Sequence, residues 1–341
     1  MSTKTLNLAL QGGGSHGSFT WGVLDRLLEE EDIVIEGISG TSAGAMNAAV
    51  LVQGWCHGKR KGAREALEKF WTGVGDLARY GLPQRSLLDQ MLGNWNIDTS
   101  PTAMLADAWQ RMFSPYQTNP FNFNPLRDLL EKMIDIKAVH ACDEIKLFVC
   151  ATSVETGHAR IFTREELSID ALMASGCLPF TFQAVEIDGK PYWDGGYVGN
   201  PAIFPLIYNC DSPDVVVVQI NPLMRAGTPD TPTEIINRLN EISFNSALIG
   251  EMRAISFVQR LIEQDHLKSA QAAKLKAMNM HVIGNEEEMR KLGATSKFNA
   301  GTDFLLHVKD IGRRTADGWL KQNRDAVGMR STINLKEMFL V

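Results

Sequence analysis

The sequence predicts a three-layer α/β/α fold with a mostly parallel central sheet and an inserted helical cap. Strand and helix patterns alternate through the first 53 residues, with strands at 5–10 and 32–39 and helices at 17–30 and 42–53. Such alternation is typical of a parallel sheet covered by helices. The β-branched run DVVVVQI at 214–220 predicts a further strand that is buried on both faces.

The remaining elements follow in chain order. We interpret residues 59–140 as an inserted helical layer, either a mobile lid or a fixed cover, with helical stretches at 63–71, 102–113 and 125–133. Strand patterns occur at 147–153, 159–163 and 281–284, and helical patterns at 233–277 and 302–322. We therefore predict a catalytic core over 1–220 and a mainly helical region over 221–341, packed on the same domain.

Composition limits the class of protein. The 341 residues are 44% hydrophobic and 22% charged, a composition typical of a globular protein. The net charge of −6 lacks the basic surplus of a nucleic-acid binder. Five cysteines without a CxxC pair predict reduced thiols in the cytoplasm; they stand at 56, 142, 150, 177 and 210. We find no signal-peptide pattern and no apolar run long enough to span a bilayer, which leaves peripheral membrane contact open.

A glycine-rich turn follows the first strand. It reads Gly12-Gly13-Gly14-Ser15-His16-Gly17 and matches GxGxxG between a strand and a helix, where free N–H groups favour an anion. Glu36 lies 19 residues after Gly17, near the position of the acidic residue in a dinucleotide site. An oxyanion hole is the competing interpretation, and a tight turn without a ligand is the third.

A serine motif follows the second strand. Gly40-Thr41-Ser42-Ala43-Gly44 matches GxSxG between a strand and a helix, which is the context of a nucleophile elbow. Ser42 could instead cap the helix. A hydrolase triad would add a histidine, but no strong motif selects one of the seven, at 16, 57, 140, 158, 266, 281 and 307.

An aspartate turn completes the set of motifs. Asp194-Gly195-Gly196 follows a hairpin that turns at Asp188-Gly189. The aromatic neighbours Tyr192, Trp193 and Tyr197 indicate a partly dry pocket, where the pKa of Asp194 would rise. Such a carboxylate could accept the proton of a serine hydroxyl directly.

The three motifs together resemble the patatin-like phospholipases over about residues 1–220. The resemblance implies a patatin-like fold and acyl-ester hydrolysis without a metal or cofactor, through an acyl-enzyme. It implies that Ser42 is the nucleophile, that Asp194 is the base, and that Gly13, Gly14 and Ser15 supply the N–H groups of the oxyanion hole. It also disfavours the dinucleotide interpretation, because Glu36 leads directly into a second tight turn.

One position departs from the family pattern. Relatives often carry Arg or Lys where this chain has His16, and a cation there can help to hold a phosphate headgroup. Histidine is mostly neutral at pH 7. His16 is therefore either a substrate contact or a solvent-facing residue. The substrate could be a phospholipid, a lysophospholipid, a neutral lipid, a small ester or a storage polyester; a lipid-binding regulatory module is the non-enzymatic alternative.

Overall fold

A mixed eight-stranded sheet forms the centre of the computed structural model, which describes residues 3–78, 95–96, 112–264 and 275–340. The strands are β1 (Lys4–Leu10), β2 (Ile33–Thr41), β3 (Lys146–Ser153), β4 (Ala159–Thr163), β5 (Val185–Ile187), β6 (Lys190–Asp194), β7 (Asp214–Gln219) and β8 (Asn279–Gly284). Their order is β5–β6–β3–β2–β1–β7–β8, and β4 also pairs with β3. The pairs from β3 to β8 along this order are parallel, whereas β3–β4, β3–β6 and β5–β6 are antiparallel.

Helices cover both faces of this sheet. They are α1 (Gly17–Leu27), α2 (Ala43–Ala78), α3 (Pro115–Thr118), α4 (Pro125–Met133), α5 (Ile136–Ala141), α6 (Ile169–Ser175), α7 (Phe204–Asn209), α8 (Pro232–Glu263), α9 (Glu286–Lys291), α10 (Thr302–Asn323) and α11 (Leu335–Phe339). Short 3₁₀ helices lie at Gly14–His16, Arg164–Glu166, Gly195–Tyr197, Ala294–Phe298 and Arg324–Ala326. Within the described ranges, no helix combines the length and apolarity that a membrane span requires.

Strand β7 shows why the fold has three layers. Val216 and Val218 belong to one apolar core with residues of α1, α2 and α10, whereas Val215 and Val217 belong to a second core with residues of α7, α8 and α11. Side chains alternate between the faces of a strand, so a continuous valine run serves both cores. The predicted three-layer α/β/α architecture is confirmed.

The C-terminal third adds to the same sheet and helical layer. Strand β8 pairs in parallel with β7. Helix α10 packs against α1 so closely that a Cβ at Gly22 would meet the carbonyl of Lys309, and one at Gly312 would meet the carbonyl of Phe19. The division at residue 220 stays a prediction.

The predicted insertion is only partly described. The expected helices at 42–53 and 63–71 are the two halves of α2, which leaves helical geometry at Gly58 and Lys59. The expected helix at 125–133 is α4. The expected helix at 102–113 lies outside the described residues up to 111, as does 265–274 of the expected helix at 233–277; α8 ends at Glu263, and residues 275–277 are not helical.

The prediction of reduced thiols is wrong for two cysteines. Cys56 in α2 and Cys142 after α5 form a disulfide across 86 residues of chain. The fold brings together two positions whose spacing carries no motif. Cys150, Cys177 and Cys210 are free and buried. A disulfide is typical of an oxidising compartment rather than the cytoplasm.

Candidate active site

The turn after β2 presents Ser42 at the carboxyl edge of the sheet. Ser42 has a φ of 55°, a left-handed conformation that is uncommon for a residue with a side chain. Its N–H donates to Ser175 Oγ at 2.8 Å, and that hydroxyl donates to the carbonyl of Cys150 at 2.6 Å. A Cβ at Gly40 would lie 2.6 Å from the carbonyl of Gly44, so the turn needs a glycine there. These contacts form the sharp elbow that the GxSxG motif predicts.

Strand pairing brings Asp194 to this elbow. Thr41, the last residue of β2, lies opposite Cys150 of β3, and Asp194, the last residue of β6, lies opposite the next β3 residue, Ala151. Asp194 Oδ1 accepts a hydrogen bond from the N–H of Gly196 at 2.7 Å. Two motifs 152 positions apart in sequence therefore meet because β3 pairs with the ends of both strands.

The carboxyl group of Asp194 is buried, with 3% of the residue exposed. Burial raises its pKa to about 6, although the N–H of Gly196, a hydrogen bond with the Ser42 hydroxyl and the ammonium of Lys297 each act to lower it. The raised pKa agrees with the expected dry pocket. Asp194 is therefore ionised at neutral pH and interacts with the Ser42 hydroxyl, as a base for that hydroxyl must.

The glycine loop lies directly against the elbow. A Cβ at Gly12 would come within 2.7 Å of Ser42 Cβ and 2.8 Å of the Thr41 carbonyl. Gly14 has a φ of 57°, which places the next residues in a 3₁₀ helix that leads into α1. Across the described chain, the N–H groups of Gly13, Gly14 and Ser15 have no protein acceptor, whereas that of Gly12 donates to Asn200 Oδ1 at 2.6 Å. The loop that carries these unused donors thus contacts the Ser42 turn through Gly12.

The other motif glycines allow close packing. A Cβ at Gly17 would lie 2.7 Å from the Cβ of Ala43, and one at Gly44 would meet the carbonyl of Leu10. Likewise a Cβ at Gly195 would meet the carbonyl of Cys150, and one at Gly196 would come within 2.8 Å of the Phe244 ring. These residues hold the three turns together.

A buried network of side-chain amides holds the glycine loop through hydrogen bonds. The sequence analysis missed it. Gln11 Oε1 accepts from the N–H groups of Ile220 and Asn221 at 2.8 and 2.9 Å. Asn221 Nδ2 donates to the carbonyl of Gly12 at 2.9 Å. The available signal was an Asn-Pro pair after a predicted strand or turn, which occurs at 200–201 and 221–222.

His16 lies inside the protein, so the alternative of a solvent-facing residue is wrong. It is 3% exposed, and its Nε2 lies 2.7 Å from Ser296 Oγ. Its pKa is well below 6.5 because of burial first and then the positive charges of Lys297 and Arg225. The ring is therefore neutral at pH 7, and its predicted contact with substrate stays a prediction. The sequence analysis also missed Lys297, whose ammonium lies near Asp194.

The histidines whose positions are described supply no partner for the Ser42 hydroxyl. His281 is buried and bonded to Asp214 at 2.9 Å, which resembles part of a triad. Asp214 begins β7 near the level of Ile35 of β2, and His281 lies on β8, level with Ile38 but three strands away from β2. Both residues are therefore remote from Ser42. His140 bonds to the carbonyl of Leu167, His307 stacks on Trp95, and His57 and His158 are exposed. His266 lies outside the described residues.

Glu36 lies away from the glycine loop. Its carboxylate accepts from the N–H groups of Asp211 and Ser212, just before β7, and pairs with Lys146 at the start of β3. It therefore lies toward the amino ends of the parallel strands, whereas a dinucleotide would bind at their carboxyl ends. Among the described residues, no cluster of three or more His, Cys, Asp or Glu could hold a metal ion.

The sheet order, the serine elbow and the glycine loop define a class of protein, and the family comparison agrees with it. The model of the patatin family, described as patatin-like phospholipase, matches residues 8–207, which is more than half of the chain. This chain therefore belongs to the patatin-like phospholipase family. The search of curated proteins returned no match.

Similar solved structures include two bacterial effectors. VipD from Legionella pneumophila is 16% identical with a TM-score of 0.37, and the match covers 90% of this chain and 67% of VipD. The type III effector ExoU is 15% identical with a TM-score of 0.33, and the match covers 94% of this chain and 54% of ExoU. ExoU from Pseudomonas aeruginosa in complex with SpcU matches at 14% identity and a TM-score of 0.29, covering 92% of this chain and 53% of that one. This chain spans about half the length of ExoU. At these TM-scores the similarity supports no inference about this chain.

Proposed function

We propose that this protein is a serine acyl hydrolase that cleaves carboxylic esters of lipids, with phospholipids or lysophospholipids as substrates. The observation that carries the proposal is the position of a buried Asp194, whose pKa is about 6, at the Ser42 elbow, where the Ser42 hydroxyl interacts with its carboxylate. The glycine loop, which carries N–H groups without an acceptor among the described residues, contacts the same serine through Gly12. Family membership supports lipid hydrolysis in general.

The proposed reaction has two steps with Asp194 as the proton carrier. Asp194 accepts the hydroxyl proton while Ser42 Oγ attacks the ester carbonyl, and the N–H groups of Gly13, Gly14 and Ser15 stabilise the oxyanion. The protonated Asp194 then gives its proton to the departing alcohol, which leaves an acyl-enzyme. Water attacks the acyl group as Asp194 takes a proton from it. Asp194 then returns this proton to Ser42 Oγ as the acyl bond breaks, which releases the acid and restores Ser42.

Two alternatives remain open for the same site. A storage polyester or another ester without phosphate would use the same chemistry. A lipid-binding regulatory module would keep the scaffold without turnover, but it would not need an ionised carboxylate bonded to the serine hydroxyl.

Fluorophosphonate labelling and an ester screen test the proposal. We expect wild type to be labelled at Ser42 and to hydrolyse p-nitrophenyl esters and lipids, whereas Ser42→Ala and Asp194→Asn each lose about 10⁴-fold or more in kcat. The double variant should be no worse than either single variant, because the two residues act as a unit. Ser246→Ala, at an exposed serine of α8, is the matched control and should keep full turnover.

Near-normal turnover in a folded Asp194→Asn variant would contradict the role of Asp194 as the base for Ser42. Labelling without hydrolysis of any ester would favour the regulatory module.

Contact with a lipid surface belongs to the same proposal. Tyr116, Phe121, Phe123 and Phe180 are exposed aromatic residues, and Phe121 is 94% exposed. The segment with Phe180 starts at Gly176, where an added Cβ would lie 3.6 Å from Ser42 Oγ, and its Gln183 donates to the carbonyl of Asn119 at 2.8 Å. These contacts link the exposed rings to the surroundings of Ser42.

Vesicle co-sedimentation tests this contact. Each aromatic side chain removed from water contributes about 1.5–3 kcal/mol, so Phe121→Ser with Phe123→Ser should lower partition onto phosphatidylcholine vesicles by at least about tenfold. Tyr208→Ser, at an 80% exposed residue of α7, is the control. Equal partition of both variants and wild type would contradict the contact.

A further inference from the structure

Lys297 contacts the glycine loop and lies near Asp194. The 3₁₀ helix Ala294–Phe298 packs on the loop so closely that a Cβ at Gly14 would come within 2.5 Å of the Lys297 carbonyl. The Nζ of Lys297 donates to Asn221 Oδ1 at 2.7 Å, and the side-chain amide of Asn221 donates to the Gly12 carbonyl. Lys297 is therefore attached to the loop both directly and through one side chain.

The ammonium of Lys297 has unused binding capacity. It carries three N–H donors, and over the described ranges Asn221 is its one hydrogen-bond acceptor and no carboxylate lies within 4 Å. Two carboxylates, Glu241 and Asp194, are the acidic neighbours of Lys297. Glu241 is already paired with Arg225 at 2.8 Å and with Arg238 at 3.3 Å. Asp194 accepts a hydrogen bond from the N–H of Gly196 and interacts with the Ser42 hydroxyl. A half-buried cation with free donors thus lies beside the candidate catalytic groups.

The surrounding charges leave this cation protonated at neutral pH. Burial lowers the pKa of Lys297 to about 8; Glu241 and Asp194 oppose the shift, and Arg225 adds to it. The other titratable neighbour, His16, is neutral at pH 7. The Phe244 ring covers the ammonium at 5.9 Å and limits its access to water.

We propose that Lys297 is a specificity-determining residue that binds the phosphate of the substrate while the glycine loop holds the ester carbonyl. The proposal rests on the proposed function and narrows its substrate to esters that carry a phosphate. In a glycerophospholipid only a few covalent bonds separate the phosphate from an ester carbonyl. A cation next to the loop can therefore bind the phosphate while the loop holds the carbonyl. An ammonium binds a phosphate oxygen through a charge-assisted hydrogen bond.

A substrate pair isolates this role. We compare kcat/KM for a lysophosphatidylcholine and for a monoacylglycerol with the same acyl chain, in wild type, Lys297→Met and Lys297→Arg. Lys336→Met, at an exposed lysine of α11, is the matched control. We expect the ratio of phospholipid to neutral-ester turnover to fall about tenfold or more in Lys297→Met. Lys297→Arg should restore most of it.

A pH series separates charge recognition from a structural role. The wild-type ratio should fall as pH rises through about 8, because Lys297 loses its charge there. In Lys297→Arg the ratio should stay level, because a guanidinium remains protonated. If Lys297→Met does not fold, this comparison of wild type with Lys297→Arg decides the proposal. An equal loss on both substrates, or ratios that do not separate with pH, would overturn it.

A binding measurement distinguishes failure of this inference from failure of the proposed function. In Ser42→Ala, binding of sn-glycerol 3-phosphate is measured by calorimetry, with and without Lys297→Met. Lys297-dependent binding by a protein that hydrolyses no ester would support the phosphate site and contradict the hydrolase. Ester hydrolysis at Ser42 without Lys297-dependent phosphate binding would contradict the inference and leave the hydrolase standing.

Discussion

At the scale of single residues, Asp194 combines a chemical requirement with a cost to stability. A proton acceptor must be ionised, but burial disfavours the charged carboxylate and raises its pKa to about 6. An aspartate in the unfolded chain ionises near pH 4. Between these values the unfolded state is charged while the folded state still holds the proton, so ionisation of Asp194 favours unfolding.

Asp194→Asn should therefore stabilise the protein at alkaline pH. Stability conferred by a raised pKa is complete below the unfolded pKa and is lost as pH rises through the folded pKa of about 6. Asparagine keeps an oxygen for the N–H of Gly196 and carries no charge. We expect urea unfolding to show the variant more stable than wild type by up to about 3 kcal/mol at pH 8, with the gap closing near pH 4.5. A variant that is less stable than wild type at both pH values would contradict this account.

The same carboxylate should control the rate. With Asp194 as the base, kcat/KM on a neutral ester should fall about tenfold per pH unit below pH 6 and level off above it. The direction follows because protonation removes the acceptor. Initial rates between pH 4.5 and pH 8 on a substrate that does not titrate measure the profile. A flat profile through pH 6 would show that Asp194 does not take the proton.

At the scale of elements, the site depends on the contact between two turns. The glycine loop after β1 and the elbow after β2 touch where Gly12 meets Thr41 and Ser42. Because β1 and β2 are parallel neighbours, their carboxyl ends share one edge of the sheet, and the two turns must pack there. The absence of a side chain at Gly12 sets the distance between them.

Gly12→Ala should separate the turns. Its Cβ would lie 2.7 Å from Ser42 Cβ and 2.8 Å from the Thr41 carbonyl, so backbone must move. Loss of one aligned oxyanion donor costs about 10²–10³ in kcat, and we expect at least that loss in a folded protein. Gly250→Ala in α8 is the matched control: its Cβ meets nothing within 4 Å, so activity should persist and stability should rise by about 1 kcal/mol. Equal activity of the two variants would show that the loop does not set the site.

At the scale of the whole molecule, the site draws on residues from most of the chain. The amide network joins Gln11 to Asn200, Asn221 and Asn245, and Lys297 extends it from the C-terminal third. The same third supplies β8, which pairs with β7, and α10, which packs on α1.

A fragment of residues 1–220 should therefore fail to fold. Without β8, the fully buried strand β7 becomes an exposed edge, and without α10 the apolar face of α1 is uncovered. We expect the fragment to be insoluble or to lack a cooperative unfolding transition by circular dichroism, in contrast to the full chain. A soluble fragment that unfolds cooperatively and reacts with a fluorophosphonate at Ser42 would show that the core is independent.

Local sequence patterns predict the layers and the three turns, because these features depend on neighbouring residues. Alternating elements and a valine run predict a covered parallel sheet, and GxSxG between a strand and a helix predicts a nucleophile elbow at Ser42. The hairpin at Asp188-Gly189 is equally local, with φ of 53° and 73° at its two central residues. Each of these predictions needs only backbone geometry and apolar periodicity.

Which distant side chains share an environment depends on the tertiary structure. The burial of His16, the disulfide between Cys56 and Cys142 and the position of Lys297 beside the loop all follow from packing between elements far apart in the chain. The pairing of His281 with Asp214, away from Ser42, has the same origin. Charge, burial and pKa depend on what lies nearby in space, and sequence spacing alone does not contain that distance.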